Sequence, residues 1–137
     1  HHSNRLPRSL AELQELVVEV RRRADRREMR VLPGSIGEVL SDRAVVVSGA
    51  GAAAHHGAAV QDRSPHQVYV RESDIESFQR RHRAREVSSD PNLVVRVAPD
   101  EAWIFDEGQV APPTIAVVDM VYERDDRSAT EALREFA

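Results

Sequence analysis

Apolar residues recur at helical spacing in three stretches of the chain and fall in short continuous or alternating runs in three others. Leu10, Leu13, Val17 and Val20 lie three or four residues apart behind Ser9-Leu10-Ala11-Glu12, a capping box. That spacing predicts a helix from Leu10 to about Arg27. Pro33-Gly34 marks a turn, and Ile36 to Leu40 reads as a short second helix. Ala44-Val45-Val46-Val47 is continuous and mostly β-branched, the pattern of a buried strand ending at Ser48-Gly49. The run Ala50 to Ala54 favours helix, with Gly57 as its stop. Gln67-Val68-Tyr69-Val70 alternates and predicts a second strand.

Ser73-Asp74-Ile75-Glu76 is a second capping box, opening a helix to about His82 with Ile75 and Phe78 turned inward. Leu93-Val94-Val95-Arg96-Val97 predicts a third strand. Pro112-Pro113 leads into an apolar helix from Thr114 to Tyr122, since proline is tolerated in a first turn. Ser128-Ala129-Thr130-Glu131 opens a terminal helix using Ala132, Leu133 and Phe136. The pattern therefore predicts one α+β domain: two layers, a small mixed sheet of about three strands, and four to five packing helices. Residues 1–3 read as the remnant of a purification tag, 4–42 as an N-terminal helical segment and 43–137 as the α+β body.

Composition narrows the function. At 137 residues the chain is one domain long, and 41% hydrophobic with 31% charged residues is enough to fold. No run approaches the roughly 18 apolar residues of a membrane span. With no cysteine there is no disulfide or thiol chemistry, which fits a reducing cytoplasm. Aromatic residues are only 4%, too few for stacking along single-stranded nucleic acid. All 19 basic residues are arginine, the usage of a GC-rich bacterial genome. They concentrate early: residues 1–35 hold eight arginines against five acids, whereas 98–137 hold three against ten. Such a dipole can orient a partner or a second copy of the chain.

The segment Val45-Val46-Val47-Ser48-Gly49-Ala50-Gly51-Ala52-Ala53-Ala54-His55-His56-Gly57 has the form of a strand, a small-residue elbow and a helix. Further along stand Val68-Tyr69-Val70-Arg71-Glu72-Ser73-Asp74-Ile75, Asn92-Leu93-Val94-Val95-Arg96-Val97, Asp100-Glu101-Ala102-Trp103 and Val110-Ala111-Pro112 through Asp119. Together these pieces resemble the AbiEi-type antitoxins of type IV toxin–antitoxin systems, over about residues 43–136. The resemblance implies a degenerate nucleotidyltransferase-like domain, non-catalytic and cofactor-free. It would bind a cognate nucleotidyltransferase-like toxin, or DNA phosphates, and repress its own operon. Members of that group carry an N-terminal winged helix, whose strand pair the first 40 residues lack.

Candidate chemistry follows. The elbow residues Ser48, Gly49 and Gly51 can cradle a phosphate at a helix N-terminus, which keeps a nucleotide-binding module or an active nucleotidyltransferase as the alternative. A transferase would need paired carboxylates on the next strand for divalent metal, and that strand offers Gln67 and Tyr69 instead. His55, His56, His66 and His82 lack an i, i+4 pair, so no metal site is assigned. Asp119 lies in the most apolar helix and calls for a partner, with Arg96 the candidate. Arg21, Arg22, Arg23, Arg26 and Arg27 form one cluster, and Arg80, Arg81, Arg83 and Arg85 a second. Both suit contact with double-stranded DNA phosphates. The acidic stretches Asp100–Glu107 and Glu123–Asp126 suit a basic partner or another subunit's arginines.

Overall fold

The computed structural model describes residues 24–136. Its order is β1 (Asp25–Arg30), α1 (Ile36–Leu40), β2 (Val45–Ser48), α2 (Gly49–His55), β3 (His66–Arg71), α3 (Ile75–His82), β4 (Arg85–Glu86), β5 (Leu93–Ala98), α4 (Pro113–Tyr122) and α5 (Asp126–Phe136). The class is α+β, with one mixed sheet of five strands ordered β2-β3-β5-β1-β4. Only β3 and β5 run parallel; the other neighbours are antiparallel.

The sheet is covered on both faces. On one, Met29, Val45, Val68, Val70, Leu93, Val95 and Val97 pack beneath Val39 of α1 and Ile75 and Phe78 of α3. On the other, Val46, Tyr69 and Ala98 pack against α2, α4, α5 and the Trp103–Phe105 turn. Two cores make three layers, where two were expected. They also account for the continuous apolar runs of β2 and β5, since a strand covered on both sides has no solvent face.

Two strands lay outside the expectation. The predicted first helix lies mostly beyond the described residues, and its last turn is the start of β1. Arg26 and Arg27 therefore sit on a strand, not at a helix end. Their surroundings explain why so charged a segment is extended: Arg27 Nε lies 2.9 Å from Asp25 Oδ2 and Arg26 Nη2 lies 3.0 Å from Glu28 Oε2. Each pair is two residues apart, the same-side spacing of a strand. The two-residue β4 completes that edge by pairing with Met29 and Arg30.

Helix starts also differ in detail. α3 begins at Ile75 behind the 3-10 turn Glu72–Asp74, and the Ser73 amide donates to Asp100 Oδ1 at 3.0 Å. α5 begins at Asp126, two residues before the expected box, and Asp125 Oδ1 accepts from the Ser128 amide. Leu133, expected inward, is 53% exposed, because the buried line of α5 runs through Ala129 and Ala132.

Candidate functional site: a buried polar stripe and an exposed arginine cluster

Cross-strand register builds the first feature. Val46, Tyr69, Arg96 and Arg26 are successive partners across β2, β3, β5 and β1, and Ser48, Gln67, Val94 and Glu28 form a parallel row. Side chains in one such row share a sheet face, so these two rows lay a polar stripe across the face beneath α4. The helix answers with Asp119 and Glu123, one turn apart on the same side.

Asp119 is 1% exposed. Its Oδ2 accepts from Ser48 Oγ at 2.5 Å and from the Tyr69 hydroxyl at 2.8 Å. The expected partner Arg96 is present, with Nη1 3.8 Å from the same oxygen. Its shorter bonds go elsewhere: Nη1 donates to Gln67 Oε1 at 2.7 Å and Nη2 to Glu123 Oε2 at 2.8 Å. Glu123 also accepts from Arg26 Nε at 2.8 Å and Nη2 at 2.7 Å. Two guanidiniums and two carboxylates thus run from the core to the edge of the sheet, the arrangement that makes buried charge tolerable.

Burial pushes the Asp119 carboxyl above its ordinary range, against the pull of Arg96 and the two hydroxyls. Burial, and then the adjacent Asp119, likewise raise the Tyr69 phenol. For Glu123 burial acts upward too, but the guanidiniums of Arg26 and Arg96 outweigh it and hold the carboxylate below its usual range. Arg26 is raised in turn, chiefly by its hydrogen bond to Glu123.

The elbow is filled by its own neighbours. Gly49 has φ +63°, and a Cβ there would stand 2.6 Å from Gln67 Nε2. A Cβ on Gly51 would stand 2.7 Å from Asp62 Oδ2. The Ser48 hydroxyl is committed to Asp119, and the Asp62 carboxylate beside Gly51 would repel a phosphate. Gln67 and Tyr69 occupy the face on which a transferase would need metal-binding carboxylates. The one carboxylate that reaches Ser48 descends from α4.

The histidines are dispersed. His56 Nε2 bonds to the Ala111 carbonyl at 2.8 Å, tying the end of α2 to the chain before α4. His66 Nδ1 lies 2.9 Å from Asp62 Oδ1 without the alignment of a hydrogen bond. His82 Nε2 lies 2.7 Å from Asp42 Oδ2. Among the described residues, no three histidine, aspartate or glutamate side chains gather as a metal site.

The arginine clusters separate by circumstance. Arg21, Arg22 and Arg23 lie outside the described residues. Arg26 and Arg27 are engaged by Glu123, Glu28 and Asp25, so the structure spends them within the fold. Arg81 is tied to Asp42 at 2.7 Å and to Ser77 Oγ at 3.1 Å. Arg80, Arg83 and Arg85 are exposed, and among the described residues no acid pairs with them. Of the acidic stretches, Asp100, Glu123 and Asp125 are already bonded to Ser73, the Arg26–Arg96 pair and Ser128.

Sequence reasoning missed Glu123 as a core partner, although its four-residue offset from Asp119 marks the same helix face. No protein-family model, curated protein or solved structure matches the chain. Among the described residues no helix is long and apolar enough to cross a membrane.

Proposed function

We propose that this chain is a non-catalytic regulator or antitoxin domain. It acts by binding a cognate toxin, DNA phosphates or both, and thereby represses its own operon. The observation that carries the reading is the set of exposed arginines Arg80, Arg83 and Arg85, without acidic partners among the described residues, around the C-terminal end of α3. Guanidinium groups left in water at a helix end are suited to an external anion. The groups that could instead perform chemistry, Ser48, Tyr69 and Asp119, are spent on one another beneath α4.

The nucleotide-binding alternative draws on Gly49, whose left-handed backbone forms a tight elbow. It draws no support from the elbow's surroundings, where Gln67 and Asp62 stand in the space a phosphate would need. Fluorescence anisotropy of a labelled mixed-sequence duplex at two salt concentrations tests the reading, with thermal shift against ATP and GTP run alongside. The expected result is duplex retention that weakens with salt and no shift with either nucleotide. A saturable rise in melting temperature with ATP or GTP moves the function to the elbow.

A further inference from the structure

The arginines at the end of α3 do not stand alone. Asp42, in the turn between α1 and β2, accepts from both Arg81 Nη2 and His82 Nε2 at 2.7 Å through Oδ2. Its Oδ1 accepts from the Ala44 amide at 2.9 Å. Burial acts to raise this carboxyl, but His82, the Ala44 amide and Arg81 together hold it below the usual range. Asp42 is therefore a clamp that fixes the α1–β2 turn against the last turn of α3. It brings in the next residue, Arg43, which is exposed and has no acidic partner among the described residues.

At the other end, Arg85 is the cross-strand partner of Arg30, whose Nη1 reaches Asp90. Like charges directly opposite in a sheet are unfavourable, so the two guanidinium groups add no attraction to the backbone pairing. Arg83 occupies the left-handed position that closes a helix, at φ +51°, where glycine is the usual residue. Glu76 and Glu86 are exposed at the margins of this region, and neither forms an ion pair with these arginines.

We propose that Arg43, Arg80, Arg83 and Arg85 form one docking band for the phosphate backbone of a nucleic-acid duplex, held in shape by the Asp42–Arg81–His82 clamp. The inference rests on the binding reading above and names its partner and its surface. Three features select that partner. First, extent: the band runs from the turn before β2 to β4, the two edges of the sheet, roughly 19 Å apart at the usual strand spacing. A duplex carries one charge for about every 1.7 Å of its axis, so such a band meets several phosphates where a mononucleotide would meet one end. Second, of the large exposed apolar residues of the described chain, Val121 and Leu133 lie on α4 and α5, and Leu32 alone, two residues past the Arg30–Arg85 pair, stands near the band. A protein interface needs apolar or aromatic anchors at its centre. Third, the band contains no aromatic ring on which single-stranded bases could stack.

The test is duplex anisotropy across a salt series with the full chain, R43A, the triple variant R80A/R83A/R85A, and R124A/R127A, which removes exposed arginines beside and on α5. The band arginines hold no partner in the described fold, so these variants should keep the wild-type melting temperature, which is measured in parallel. The slope of log K against log salt is expected to fall by about 0.9 for R43A and about 2.7 for the triple variant, and to stay unchanged for R124A/R127A. If the wild type binds and R43A keeps its slope, the band is wrong while the binding reading survives. If the wild type shows no salt-dependent binding, the DNA arm of that reading fails with it. Competition by poly-glutamate or unlabelled single strand as effective as unlabelled duplex overturns the choice of partner. Competition by duplex alone supports it.

Discussion

Asp119 lies in the most apolar helix of the chain and is almost wholly enclosed, yet two hydroxyls and a guanidinium are gathered on it. Replacing it with alanine leaves Ser48, Tyr69 and Arg96 facing a void. Losing one member of a buried charged set costs about 3–5 kcal/mol, because the partners remain buried and unpaired. Asp119→Ala should therefore lower unfolding free energy by about that much in urea denaturation. Asp119→Asn, which keeps an acceptor oxygen, should cost roughly half as much. An alanine variant within about 1 kcal/mol of wild type would mean that apolar packing alone seats α4. Reading the residues one by one was enough to ask for a partner for Asp119, and Arg96 was the right neighbourhood. That Arg96 spends its short bonds on Gln67 and Glu123 depends on strand register, which no local pattern encodes.

At the scale of elements, the strands buried on both faces were legible because β-branched runs have little other use. β1 was hidden: Asp25-Arg26-Arg27-Glu28 contains no apolar residue, and its extended state rests on the ladder with β5 and on Glu123, both far along the chain. The elbow between β2 and α2 was visible as small residues, but its tenants were not, since Gln67 and Asp62 arrive from β3 and the loop before it. Their different footing gives a prediction. At Gly49 a methyl group meets a strained backbone and the Gln67 side chain, itself fixed by Arg96. Gly49→Ala should cost at least about 2 kcal/mol. At Gly51 it meets the end of the Asp62 side chain, whose contact with His66 can be given up at modest cost, and Val47 Cγ1 at 3.1 Å, while alanine favours helix by up to about 1 kcal/mol. Gly51→Ala should stay within about 1 kcal/mol of wild type. Paired thermal melts decide it, and equal losses at both sites would contradict the difference in how the two neighbours are held.

For the whole molecule, the polar stripe ties Asp119 and Glu123 to four strands of the sheet and makes stability depend on pH. Glu123 has a folded-state pKa below its unfolded value, which is about 4.3. The stability it contributes is therefore fully present above that value and is lost as pH falls through the lower, folded one. Glu123→Gln should cost about 2 kcal/mol at pH 7, the edge position of Arg26 moderating the loss. The gap between wild type and variant should shrink steadily below about pH 4, as followed by chemical denaturation at several pH values. A gap that is constant with pH would mean Glu123 acts by packing rather than by charge.

The placement of β1 also bears on how the molecule assembles. Its longest pairing is with β5, with Asp25 opposite Val97, so the first described strand is paired by the last. Closing so long a loop costs entropy that only the finished sheet returns, and topologies of this kind fold slowly for their size. During synthesis, then, Asp25 to Glu28 wait unpaired until Val94 to Val97 have been made. A chain arrested before β5 should leave residues 24–92 open to proteases.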